Sequence, residues 1–150
     1  MSATGLDVFD KTLQSTNTWL GEIMEELGPD RQVAWHALGA VLHTLRDMIP
    51  AGAAVNLGAQ LPLLVRGLYY DQWLSPDTPI NLRKRDEFLA NVQKGLTNIR
   101  PVDPADAAQA VFRVLNHHIA PGQIEKTRAI LPEPVRALWP EQGTPKRSAA

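Results

Sequence analysis

Few side chains in this sequence could do chemistry. His36, His43, His117 and His118 are its four imidazoles, and it contains no cysteine. Without thiols the chain forms no disulfide, thiolate metal site or iron–sulfur cluster, and it has no thiol nucleophile. Di-metal carboxylate bundles place Glu and His three residues apart on one helix face; here Val33, Ala40, Val114 and Leu115 stand three places before the histidines. His43 and Asp47 are four apart, a spacing that reads as a solvated contact on a helix surface. His117 and His118 are neighbours, and neighbours on a helix diverge by about 100°, so the two rings are not expected to share an ion. Ser2, Ser15, Ser75 and Ser148 lie outside any Gly-x-Ser-x-Gly elbow, and the glycines build no phosphate-cradling loop. The residue pattern therefore assigns no catalytic residue, no metal ligand and no cofactor.

Two sets of polar and aromatic residues remain as candidates. Arg66 and Arg136 each stand four residues after the proline of a Leu-Pro pair, and a pair of arginines can clamp an anion. Salt bridging within each half of the chain is the plainer reading. Tyr69, Tyr70 and Trp73 form the densest aromatic cluster, in which Tyr70 and Trp73 are candidates for an interaction surface or for anchors of the segment that follows. Arg83-Lys84-Arg85 is the only basic run. Lys plus Arg number 15 against 16 for Asp plus Glu, so no overall field attracts nucleic acid or an acidic membrane, and nucleic-acid binding is not expected.

The elements that must position these residues read as helices throughout. Leu6, Phe9, Leu13, Thr16, Leu20, Ile23 and Leu27 are spaced three and four apart, one seam along a helix that Gly28-Pro29 ends. Asp30 can cap a second helix carrying Leu38, Val41, Leu42, Leu45, Met48 and Ile49 up to Pro50. A short third helix is expected over Ala53 to Gln60, and Leu61-Pro62 opens a fourth. Prolines and turn formers place a linker at about 74–81. The pattern then restarts with Leu82, Leu89, Val92, Leu96 and Ile99, followed by Asp103-Pro104, Val111, Leu115 and Ile119. Residues 140–150 lack large apolar side chains and are expected to form a flexible tail.

The restart is a repeat. Laid on 110–139, residues 40–69 match at eleven of thirty positions, where average composition gives about two. The identities include Ala40/Ala110, Val41/Val111, Leu45/Leu115, Ile49/Ile119, Leu61/Leu131, Pro62/Pro132, Val65/Val135 and Arg66/Arg136. At an offset of 69 the preceding helices also match, with Trp19 on Phe88, Leu20 on Leu89 and Ile23 on Val92. The predicted fold is an all-α, internally duplicated helical bundle, two repeats of about four helices each. Repeat one covers about 6–73 and repeat two about 82–139, in a single domain over 1–139. The register places His118 on the apolar face, where Met48 stands in the first copy, and His117 on the polar face with Asp47.

Val41-Leu42-His43-Thr44-Leu45-Arg46-Asp47, Gly58-Ala59-Gln60-Leu61-Pro62 and Arg66-Gly67-Leu68-Tyr69-Tyr70-Asp71-Gln72-Trp73 resemble the prokaryotic family called domain of unknown function 2267. Ala110 to Leu115 and Leu131 to Trp139 fit its second half, and the likeness covers about residues 6–140. It implies a small helical bacterial protein and supplies no mechanism. Members of that family carry acids at the start of the third helix, where this chain has Ala53 and Ala54.

From these residues the expected function is a non-enzymatic protein-interaction or regulatory module, its partner a protein, with self-association open. The alternative is a small-ligand protein or enzyme with an anion pocket between the repeats. An exposed apolar patch would favour the first, a closed polar cavity the second. The N-terminal residues show no basic stretch followed by an apolar run, and no segment is apolar enough to span a membrane, so a cytoplasmic location is expected.

Overall fold

Aspartates start two of the long helices. Asp30 accepts hydrogen bonds from the backbone N–H groups of Gln32 (2.9 Å) and Val33 (3.3 Å), and Asp103 accepts from Ala105 (2.8 Å) with Pro104 in the first turn. Each satisfies donors that an N-terminus leaves unpaired. The computed structural model describes residues 3–73 and 79–141. Among them the helices are α1 (Asp7–Leu27), α2 (Arg31–Met48), α3 (Ala51–Gly58), α4 (Leu63–Tyr70), α5 (Arg85–Lys94), α6 (Pro104–His118), α7 (Pro121–Ala129) and α8 (Glu133–Arg136), and no strand occurs among the described residues.

Pro50, Pro62 and Pro132 each stand immediately before a helix, at the N-cap rather than inside the first turn. Gly28 ends α1 at a φ of 104°, and its N–H donates to the Met24 carbonyl. The Arg100 guanidinium donates to the Leu27 carbonyl. A Cβ on Gly28 would lie 2.9 Å from Arg100 Nη2, so both the backbone angle and the close approach call for glycine here.

The core is built around α2 and α6. Val33, Ala37, Leu38, Val41, Leu42 and Leu45 of α2 are sealed from solvent, as are Ala107, Val111, Phe112 and Leu115 of α6. These two helices pack on each other, and α1 and α5 each pack against both. Phe112 stacks on Trp139 with ring centroids 4.2 Å apart and planes 3° apart, and on Phe88 at 6.2 Å.

Residues 74–78 of the expected linker and 142–150 of the expected tail lie outside the described residues. Within the described part of the expected linker, the Ile80 N–H donates to the Asp47 carbonyl at 2.7 Å. None of the described helices is long and apolar enough to cross a membrane.

One expectation about α1 changes. Its spacing reads as a continuous core seam, and the second half is one: Thr16, Leu20 and Ile23 are buried. Leu6, Phe9 and Leu13, on the same spacing, are 51%, 49% and 43% exposed. Among the described residues the helix runs past the elements that cover it, so the apolar stripe outlasts its cover there.

Candidate functional site

Tyr70 and Trp73 are half-buried and pack against the core. The Tyr70 ring lies edge-on to Tyr69 at 5.0 Å and 5.6 Å from Trp73. A Cβ on Gly58 would stand 2.3 Å from the Tyr70 hydroxyl, so glycine lets the ring lie against α3. Trp73 Nε1 is buried and has no hydrogen-bond partner among the described residues.

Arg66 donates from Nη2 to the carbonyls of Ala59 (3.1 Å) and Leu61 (3.0 Å), closing the turn between α3 and α4. It makes backbone contacts there, not the expected intra-repeat salt bridge. Arg136 is on α8, which packs against α5, whereas α4 packs on α1, α2 and α3. Arg83, Lys84 and Arg85 are exposed, and Glu87 Oε1 accepts from the backbone N–H of Lys84 at 3.0 Å to start α5.

His43 and Asp47 do not act together as a surface pair. His43 Nε2 stands 2.6 Å from the Leu68 carbonyl, and Asp47 takes a forked pairing with Arg46, 2.7 Å from Nε and 3.1 Å from Nη2. Arg46 is 3% exposed and donates from Nη1 to the carbonyls of Tyr69 (2.7 Å) and Asp71 (2.8 Å). A guanidinium is thereby buried with its donors satisfied, and it neutralises the negative end of α4. Tyr69 beside it donates to the Ala54 carbonyl at 2.7 Å. Burial, reinforced by Tyr70, pushes the Tyr69 phenol well above its ordinary range.

Two places on the molecule have the character of sites. The first is the uncovered face of α1. The Leu64 N–H donates to Thr12 Oγ1 at 2.8 Å, which docks the first turn of α4 on α1. Leu13, Leu20, Trp35 and Leu64 then line a groove of about 520 Å³, with Arg31 and His36 also on its wall. Leu6 and Phe9 continue its apolar edge as a ridge toward the start of α1.

The second lies where α1 crosses α6. Glu22 Oε1 accepts from His117 Nδ1 (2.9 Å) and Glu22 Oε2 from His118 Nε2 (2.7 Å). Glu26, one turn on, pairs with Arg113, so the two helices meet along an acidic stripe facing a basic one. The His117 side chain is 65% exposed and that of His118 25%, the order the repeat register predicts, but both residues are exposed and His118 is not buried on an apolar face as the register implied. His118 is also stacked on Trp19, centroids 5.3 Å apart.

Here the sequence expectation needs correction. The backbone directions of His117 and His118 do diverge, but one ring presents Nδ1 and the other Nε2. The rings therefore converge, with centroids 4.2 Å apart, and their donor atoms lie within 4.8 Å of each other and of a Glu22 oxygen. Glu22 itself is not singled out by the sequence. Its contribution depends on which helix packs against α6, and linear spacing does not carry that information.

A family model described as "Uncharacterized conserved protein (DUF2267)" matches residues 16–138. Among curated proteins, none matches the chain.

Proposed function

The chain belongs to the DUF2267 family of uncharacterized conserved proteins, and on that premise we propose that it is a non-enzymatic protein-interaction module that docks a second copy of itself through the uncovered faces of α1 and α4. The observation that carries this reading is the break in burial along α1, where one apolar seam is sealed at Leu20 and Ile23 and open at Leu6, Phe9 and Leu13. Contiguous exposed apolar surface marks interaction sites, because an uncovered stripe costs hydration free energy until a partner covers it.

A second copy fits as the occupant. The groove takes an apolar helical ridge, the usual arrangement of helix-in-groove recognition, and α1 itself supplies such a ridge alongside. A twofold operator sets each ridge in the other copy's groove. Asp7 and Asp10 in the first turn of α1 are opposite in charge to Arg31 on the groove wall, which suits such an arrangement.

Tyr70 and Trp73 belong to the same proposal as anchors of the segment after α4, since they are half-buried against the core. An anion pocket between Arg66 and Arg136 has no part in it, because Arg66 already closes its own turn.

The proposal includes the duplication and a single domain. In support, the pairs α1·α2, α1·α4 and α1·α6 have the counterparts α5·α6, α5·α8 and α5·α2, while α2·α6 and α3·α7 pair equivalent helices. Residues on equivalent helices also do similar work, since Arg46 holds the carbonyls at the end of α4 and Asn116 donates to the Pro140 carbonyl at 2.8 Å.

Hydrogen exchange at two protein concentrations tests the docking face. Protection in the first half of α1 and the first turn of α4 should rise with concentration, while that of α6 stays constant. Concentration-independent exchange in α1 would overturn the reading.

A further inference from the structure

We propose that Glu22, His117 and His118 form a binding site for a divalent transition metal of the zinc class, bridging α1 and α6. Two imidazole nitrogens and a carboxylate oxygen are a donor set that suits Zn²⁺, and three protein ligands leave a fourth position for water. The three donor atoms already lie within 4.8 Å of one another. Zinc at its usual ligand distances of about 2.0–2.2 Å holds tetrahedral donors roughly 3.3–3.5 Å apart. The present Glu–His separations, 2.9 and 2.7 Å, run to different carboxylate oxygens, so binding through one oxygen turns the carboxylate and draws three donors that span at most 4.8 Å toward that spacing.

The setting supplies both fixed and adjustable ligands. Glu22 is 13% exposed and is held on α1, one turn from the Glu26–Arg113 pair. His118 is held by its stack on the buried Trp19. Orienting contacts of this kind preset a ligand. His117, at the open edge, has the freedom to close on the ion. Without metal the carboxylate accepts an N–H from each ring, which selects the Nδ1–H tautomer of His117 and the Nε2–H tautomer of His118 when they are neutral. Moving those protons to the opposite ring nitrogens turns the same two atoms toward a cation as lone pairs. His118 also lines a groove of about 460 Å³, together with Trp19, Thr18, Lys11 and Gln60.

The test is titration of the full chain, free of any histidine tag, with Zn²⁺ by calorimetry and with Co²⁺ by visible absorption. One-to-one binding is expected, with the intense Co²⁺ bands of a four-coordinate site and a Zn²⁺-dependent rise in Tm. Glu22→Gln and His118→Ala should each weaken binding by at least about tenfold, while His43→Gln binds as the unmodified chain does. Circular dichroism establishes that each variant is helical. His117→Ala serves in place of His118→Ala should the latter not fold, since the His117 side chain is largely exposed. No saturable one-to-one binding by the unmodified chain would overturn the site. So would binding by the Glu22 and His118 variants as tight as that of the unmodified chain, or an equal loss on His43→Gln.

Discussion

Arg46 and Tyr69 show how single side chains fix the end of a helix. The guanidinium of Arg46 reaches two carbonyls at the end of α4, and the Tyr69 hydroxyl reaches back to Ala54 on α3. The Tyr69 bond exists only while the phenol holds its proton. Because burial raises the folded-state pKa above the unfolded value of about 10, stability from this group is complete below that pH and falls as pH rises above it. Tyr69→Phe should remove up to about 1.4 kcal/mol per pH unit of that alkaline decline, measured as urea unfolding free energy between pH 9 and 11. An unchanged slope would place the titrating group elsewhere. At this scale the sequence is partly legible. The repeat register orders His117 and His118 by exposure, but the sequence does not single out Arg46 or Asn116, whose carbonyl contacts depend on the packing of α4 and the chain end. Glu22 gives no signal alone, because its partners are 95 and 96 residues away.

Helix boundaries are the most legible feature, since Asp30, Asp103 and the prolines before α3, α4 and α8 act through local backbone chemistry that spacing reveals. What periodicity cannot show is how far neighbouring elements extend. The seam of α1 reads the same at Phe9 and at Ile23, yet only one of them is covered. Ile23→Ala should therefore lower stability by about 2–5 kcal/mol through the lost burial and the cavity left behind. Phe9→Ser, measured in the monomer by denaturant unfolding at low concentration, should change it by within about 0.5 kcal/mol. A large loss at Phe9 would mean that the stripe is covered within the chain. The same gap between pattern and packing explains His117 and His118: their backbone angles are predictable, but the convergence of their ring nitrogens on Glu22 depends on the meeting of α1 with α6.

For the whole molecule, the fold class follows from helical periodicity over nearly the full length, while the use of its surface does not. A proposed duplication in which α1 packs on α6 and α5 on α2 interlocks the two halves, so neither half keeps its core when the other opens. Calorimetric unfolding should show one transition with equal calorimetric and van't Hoff enthalpies; two separated transitions would mean independent domains. Self-association through the open face of α1, as proposed, is read out by sedimentation equilibrium. The mass of the unmodified chain should rise with concentration from 16.5 kDa toward twice that value, and Phe9→Asp should hold it at 16.5 kDa throughout. A monomer at every concentration, or a dimer that Phe9→Asp leaves intact, would contradict the account.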